Sequence, residues 1–344
     1  MKVVALAGGV GGAKLAAGLQ DVLAPGDLSV VVNTADDFDL WGLRICPDLD
    51  TVMYTLAGIA NPETGWGILD ESFETLTMLE RYGEDTWFML GDRDLATHIL
   101  RTDRLRSGET LTQVTAGLAR SLGVPGAVLP MSDDPVSTLL ETPAGRLEFQ
   151  EYFVRRGQRD EVQGIELRGV DKARPTQAVL AAISGAGAVV ICPSNPLVSI
   201  GPILALQGVR EALTSSSAPK LAVSPIVGGR ALKGPADRML ASLGHEVSAT
   251  GVARMYGGLV DGLVLDKIDE GETEGIQALG MRVLATESVM RDAADRARLA
   301  SESFSIMAAR EEAEGNPARR VALEELEEAV KHKMDLRQRH EDGF

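Results

Sequence analysis

The chain has 344 residues, 44% hydrophobic but only 4% aromatic, and a formal net charge of −16. That length holds one large domain with an insertion, or two domains, and buries a substantial core. So negative a surface excludes binding to nucleic-acid backbones or anionic membranes by general electrostatics, and an anionic ligand needs a local exception built from backbone N–H groups, a few Lys or Arg, or a divalent metal.

In chain order, residues 3–7 read as a buried strand, the glycines of "GGVGG" as a turn, residues 13–23 as a helix and 28–32 as a second strand. This is the size of a βαβ unit. Three amphipathic helical stretches, each closed near a glycine, follow in residues 68–122 and read as a helical insertion. "AVLPMSDD" and "GRLEFQEYFVRR" return to strand character. Residues 188–196 and 220–229 are apolar runs ending in polar, Gly/Pro-rich loops, and residues 260–266 and 281–286 are further strands. From residue 311 the chain is charged and helical. The expected fold is α/β, with a mostly parallel sheet in 1–67 and 123–310, the insertion 68–122 and a helical tail 311–344. Cys46 and Cys192 stand alone, without disulfide or zinc spacing. With no signal peptide and no apolar stretch of bilayer length, a cytoplasmic protein is expected.

In an open parallel sheet, ligands sit at the carboxyl ends of the strands, and four polar loops follow expected strands. The first, with Gly9, Gly11, Gly12 and Lys14, is neither a P-loop, since Leu15 takes the Ser/Thr place, nor a dinucleotide turn, since Lys14 replaces the third glycine. It suits phosphate at a helix N-terminus, or a plain tight turn. The second begins at Asn33 and Thr34, where a ribose-binding acid is missing, and carries Asp36, Asp37 and Asp39. These carboxylates suit magnesium or a general base, and equally suit capping and turn formation. The third (Ser194, Asn195, Pro196) and fourth (Ser224, Pro225, Gly228, Gly229, with Arg230 and Lys233 behind) offer hydroxyl, amide and backbone donors. Asp48 and Asp50 precede an apolar helical run, where Asp50 also suits an N-cap. Asp92, Arg93, Asp94, His98 and Arg101 gather in "GDRDLATHILRT". On a helix Asp94 shares a face with His98, and His98 with Arg101, as in a surface salt-bridge network.

The order of "GGVGGAKL", "NTADDF", "CPDLDTVMYTLAG", "GWGILDESFETLTML", "WFMLGDRDLATHILRT", "LPMSDDPVSTLL", "FQEYFVRR", "PSNPLVSIGPIL" and "SPIVGG" resembles the 2-phospho-L-lactate transferases, which make the deazaflavin coenzyme F420. The resemblance runs to about residue 304. It implies a Rossmann-like domain with a smaller helical insertion. It further implies transfer of a 2-phospholactyl or enolpyruvyl phosphate group from a guanosine diphospho-ester to the ribityl hydroxyl of 7,8-didemethyl-8-hydroxy-5-deazariboflavin, with release of GMP and a requirement for Mg²⁺. Asp50 in "DLDT" and Arg93 in "GDRD" match acceptor-binding positions, and the loops at Ser194 and Ser224 match nucleotide-side motifs. On this basis Asp50, Asp37 and Arg93 are the expected catalytic residues. Asp36, Asp37 and Asp50 are the expected magnesium ligands. Gly9, Gly11, Gly12, Lys14, Asn33, Thr34, His98 and Lys233 join the two loops in binding substrate. A homodimer is expected for such a fold.

Two other classes compete. The gluconeogenesis-factor-like proteins, nucleotide-sugar-binding regulators, share the glycine loop and an Asp pair, but run "ADDGGSSGRLR" where this chain has "ADDFDLWGLRICPDLDT". An NAD-dependent dehydrogenase is opposed by the missing third glycine and ribose acid.

Overall fold

The structure, a computed structural model, describes residues 1–325 and residue 328. Its main sheet has seven strands: β1 (Val3–Ala7), β2 (Leu28–Val32), β3 (Ala127–Pro130), β4 (Ala188–Ile191), β5 (Lys220–Val223), β6 (Gly262–Asp266) and β7 (Arg282–Thr286). All pairings are parallel, in the spatial order β7-β6-β5-β4-β1-β2-β3. The chain starts mid-sheet, runs out to β3, then crosses back and runs out to β7. The winding direction reverses between β1 and β4, and an open α/β sheet leaves its ligand crevice at such a reversal. The expected α/β, Rossmann-like architecture is present.

The central strands β1 and β4 read as unbroken apolar runs because helices cover both faces. Val3, Ala5 and Ala7 face one helical layer and Val4 and Leu6 the other, as the period of two requires. The first layer contains α1 (Gly9–Val22), α2 (Pro47–Leu56), α5 (Leu111–Ser121) and α6 (Ala293–Ala313), with α3 (Glu74–Arg81) and α4 (Asp92–Arg106) between α2 and α5 in the chain. Five short helices between residues 177 and 255 form the second layer. All three helical stretches expected in 68–122 are present. α5 buries Leu111, Val114 and Leu118 in the main core, whereas α4 packs Leu95 into a small cluster with Ile45 and Leu90. In the tail, residues 317–325 are helical and Leu323 joins the main core. The expectation for 326–327 and 329–344 lies outside the described residues.

Three local readings are corrected. Helix α1 begins at Gly9, so the glycines form its first turns rather than a loop before it. Strand character ends at Glu148, and residues Glu151–Arg155 are helical. A three-stranded antiparallel sheet (Ser137–Thr142, Gly145–Glu148, Gly164–Arg168) was not foreseen.

Only Gly9 in the opening motif has a left-handed backbone, at φ +62°. Gly11 is glycine for a different reason: a Cβ there would stand 2.3 Å from the carbonyl oxygen of Pro193, and one on Gly12 2.5 Å from Ser194 Oγ. The motif therefore lets α1 lie directly on the loop that follows β4. Overpacking a rigid contact costs about 1–3 kcal/mol. Gly11→Ala is expected to lower stability by that amount in urea denaturation, before any ligand is added. An unchanged midpoint would show that the Pro193 loop yields freely.

Candidate active site

A cavity of about 730 Å³ lies at the carboxyl ends of β1, β4 and β5, where the sheet reverses direction. The start of α1, the loops at Ser194 and Ser224, the segment Ser288 to Arg291 after β7, and side chains from α2 and α4 line it.

One part of the lining is built on the N-terminus of α1. Ser194 ties the two crevice loops: its Oγ accepts from Gly8 N (3.1 Å) and donates to Gly8 O (2.8 Å). The first helical N–H, on Gly9, donates to Asp48 Oδ1 at 2.8 Å. Asn33 Nδ2 donates to Asp48 Oδ2 and to Asp36 Oδ2, both at 3.0 Å, and its own Oδ1 accepts from Ala35 N, which fixes the amide's orientation. Asp36 is buried, and the Thr138 hydroxyl is a second donor beside its carboxylate. Burial pushes the Asp48 carboxyl up to about 6 against the donors Asn33 and Gly9. Burial, and next the charge of Asp48, push Asp36 well above the usual carboxylate range. Facing these acids are the cations Lys14, Lys233 and Arg291. Lys14 Nζ donates to Met290 O at 2.8 Å and Lys233 Nζ to Thr64 O at 3.0 Å. Partial burial, then the nearby Lys233, lower the Lys14 pKa.

A polar wall of Asp50, Tyr54, Asp94 and His98 lines another part of the cavity, near Phe88 and Leu90, while Trp66, Phe149 and Phe153 line it close to the Lys233 loop and Asp36. Asp50 and Tyr54 share a face of α2, and Asp94 and His98 a face of α4. Behind the wall Arg101 is 1% exposed and grips both oxygens of Asp50, NH1 to Oδ2 at 3.0 Å and NH2 to Oδ1. Tyr54 OH donates to Asp94 Oδ1 at 2.7 Å, and His98 Nε2 lies 3.2 Å from the same oxygen. Burial opposes the charge on Asp94, but His98, then Tyr54 and Arg101, together hold its pKa below the ordinary value.

Of the residues expected from sequence, Gly9, Gly11, Lys14, Asp36, Asp50, His98, Ser194, Asn195, Ser224, Pro225 and Lys233 line this cavity. Gly12 and Asn33 support it from behind. Gly228 turns away to donate to Asp269, and neither Gly229 nor Pro196 reaches the lining. Arg93 is exposed and donates to Leu69 O at 3.1 Å, outside the lining; the arginine that engages the site is Arg101, two helical turns on. Asp37 and Thr34 line a separate pocket of about 270 Å³. There the Asp37 side chain is fully buried, 3.8 Å from Arg44. The expected trio Asp36, Asp37 and Asp50 is therefore not assembled. Among the described residues the one grouping of three possible metal ligands within 4.8 Å of one another is Asp50, Asp94 and His98. Asp48, Tyr54, Asp94 and Arg101 were not singled out from sequence as site residues, although the spacing of 94, 98 and 101 was readable.

The family model described as 2-phospho-L-lactate transferase CofD matches residues 3–309. The chain belongs to this family. It is thus a transferase. It is 45% identical over 312 residues to a phosphoenolpyruvate transferase of Streptomyces griseus, covering 89% of this chain and 98% of the relative. It is 40% identical over 288 residues to a 2-phospho-L-lactate transferase of Methanosarcina acetivorans, covering 84% and 93%. A crystal structure of a UPF0052 family protein from Bacillus halodurans superimposes with a TM-score of 0.59 at 18% identity, over 88% of this chain and 98% of that one, which shows the shared fold. Among the described residues, no helix of this CofD-family chain is long and apolar enough to cross a membrane.

Burial raises the Asp37 pKa from 3.8 to about 7, against the pull of Arg44. The folded state thus holds this proton more tightly than the unfolded chain. The associated stability is full below about pH 4 and is lost as pH rises towards 7. Asp37→Asn is expected to flatten that loss by on the order of a few kcal/mol in urea titrations at pH 4.5 and 7.5. Asp36 and Asp48, shifted the same way, keep the slope from vanishing. Identical slopes for variant and parent would mean that Asp37 is already ionised in the folded protein at low pH.

Proposed function

We propose that the enzyme transfers an enolpyruvyl phosphate group, or 2-phospholactyl, from a guanosine diphospho-ester to the ribityl hydroxyl of 7,8-didemethyl-8-hydroxy-5-deazariboflavin, releasing GMP in coenzyme F420 biosynthesis. The observation that carries this reading is one cavity that joins two kinds of lining. One part offers a helix N-terminus, three cations and the acids Asp36 and Asp48, the setting for a diphosphate. Aromatic side chains and a polar wall of Asp50, Tyr54, Asp94 and His98 line the rest, the setting for a flat ring bearing hydroxyls. The identity to a phosphoenolpyruvate transferase supports the enolpyruvyl donor.

In the reaction a new bond forms from the ribityl oxygen to the phosphorus bearing the three-carbon acid, and the bond to the GMP oxygen breaks. Asp50, held by Arg101 in the polar wall, orients the hydroxyl and takes its proton. Lys14, Lys233 and Arg291 neutralise the donor, so that the work is mainly positioning and charge compensation.

The residues present fit Mg²⁺. The buried Asp36 and half-buried Asp48 carboxylates share one amide donor and repel each other, and burial holds both pKa values up despite the donors Asn33, Thr138 and Gly9. Asp36 and Asp48 would hold the ion, with oxygen-only ligation and phosphates completing its shell. Bound there, it supplies charge neutralisation between the phosphoryl groups.

Incubation with the deazaflavin precursor and each guanylyl donor is expected to give a phosphodiester product and GMP by mass spectrometry, faster with enolpyruvyl. Binding of both ligands without product would leave a regulator instead. Chelation is expected to abolish turnover while calorimetry still detects the precursor. Undiminished turnover after exhaustive chelation would transfer the phosphate charge to Lys14, Lys233 and Arg291 alone. Asp48→Asn is expected to reduce turnover on the order of a hundredfold and to raise the magnesium requirement. A variant with parental kinetics would reduce Asp48 to a cap on α1.

A further inference from the structure

The polar wall of the cavity rests on a residue that does not touch the cavity. Arg101 is buried behind it and contacts three elements: Asp50 on α2, the carbonyl of Arg44 at 3.4 Å, and His98 one turn earlier on α4. A guanidinium has only donors. Its NH1 lies 3.2 Å from His98 Nδ1. A hydrogen on Nδ1 would point at guanidinium hydrogens, so Nδ1 must accept. The ring hydrogen then sits on Nε2, 3.2 Å from Asp94 Oδ1. Tyr54 gives its hydroxyl hydrogen to that same oxygen.

We propose that Arg101 is a positioning residue that sets the hydrogen-bonding state of this wall: it locks the Asp50 carboxylate with a two-pronged grip and fixes His98 in the Nε2–H form. The Tyr54 hydroxyl hydrogen and both prongs of the guanidinium are thereby spent inside the protein, and the His98 Nε2–H is buried beside Asp94. What faces the ligand is lone pairs on Asp50 and Asp94. The wall selects a ligand that brings its own O–H or N–H donors, and rejects one that offers carbonyl or phosphate oxygens there.

The same arrangement decides against a metal at this spot. Asp50, Asp94 and His98 bring ligand atoms within 4.8 Å of one another, close enough to hold a cation. Yet both Asp50 oxygens and His98 Nδ1 already face Arg101. The guanidinium occupies the cation's electrostatic role from behind, and Coulomb repulsion opposes a second positive charge a few ångströms away. The metal and the donor phosphates are thus directed to the part of the cavity at the N-terminus of α1.

This inference rests on the acceptor-site reading above, and one of its tests is independent of that reading. Nitrogen-15 histidine spectra of the full chain without substrate are expected to show His98 with a pyridine-type Nδ1 and a pyrrole-type Nε2. Arg101→Lys cannot reproduce the planar fork. It is expected to lose the fixed tautomer. Its kcat/KM for the deazaflavin precursor should fall on the order of a hundredfold, while KM for the guanylyl donor stays within about twofold. Arg101→Met, which removes the charge as well, should lose more. Thermal unfolding identifies a variant that fails to fold, and the parental spectrum then decides alone. A pyrrole-type Nδ1 in the parent overturns the proposal. So does an Arg101→Lys protein with parental kinetics for both substrates. A parent with the expected tautomer and no transferase activity would sink the proposed reaction while leaving the assignment of Arg101 intact.

Discussion

Four carboxylates, those of the buried Asp36, Asp50 and Asp94 and the half-buried Asp48, line one cavity, and each has to be answered by a donor from elsewhere in the chain. Asp48 is answered by Gly9 N–H and Asn33, Asp50 by the Arg101 fork, Asp94 by Tyr54 and His98. These donors sit on α1, at the end of β2, on α4 and on α2. The acids therefore cross-link the elements around the crevice. Removing one member of a buried charged pair costs about 3–5 kcal/mol, because the survivor stays buried. Asp36 is the exception: Asn33 and the Thr138 hydroxyl are its donors, and burial with the charge of Asp48 outweighs them and pushes its pKa well above the usual carboxylate range. That imbalance singles out its part of the cavity as the one built to be completed by something else.

The winding of the sheet explains why these residues can meet at all. β1 and β4 lie side by side, yet their following segments leave for opposite faces, α1 to one layer and the helix Ile200–Ala205 to the other. The gap would be wide if either turn carried bulk. Glycine at positions 11 and 12 lets α1 settle onto Pro193 and Ser194, and Gly8 donates its N–H to Ser194 Oγ while its carbonyl accepts from the same hydroxyl. Gly9 alone is needed for its left-handed backbone, which turns the first helical N–H towards Asp48. Close backbone approach and helix polarity are thus two consequences of one short motif.

Much of the fold was legible in the sequence because the sheet is covered on both sides. β1 and β4 are continuous apolar runs and β2 is interrupted only by Ser29, and the structure begins and ends β1 and β2 where the apolar residues do. The small antiparallel sheet carries no such run, so Ser137–Thr142 and Gly164–Arg168 gave no comparable signal. In the site, the loops after β1, β4 and β5 were found because topology places ligand loops at strand ends. What failed was direction. Asp36 and Asp37 are neighbours in sequence, but successive residues of a turn point apart, one to the main cavity and one to the pocket beside Arg44. Arg93 and Arg101 lie on one helix, and only tertiary packing tells which is covered. The stripe of Asp94, His98 and Arg101 reads as a solvated charged face. It is buried because the hairpin strands Phe38–Leu40 and Leu43–Ile45 and α2 close over it.

An overall charge of −16 opposes a diphosphate at long range, but distance decides which charges count. At physiological ionic strength exposed charges are screened beyond about 8 Å, so most of the acidic surface is silent at the cavity floor. There the local inventory is Lys14, Lys233, Arg291 and the N-terminus of α1 against Asp36 and Asp48. Both acids have pKa values pushed up by burial, so their negative charge is itself costly and is relieved by any cation brought with the ligand. In the polar wall Arg101 cancels one of two acids from within, which leaves that wall needing donors rather than charge. The polarity of the cavity, cation-seeking in one part and donor-seeking in the other, follows from where the counter-charges are placed. A single net charge for the chain describes neither part.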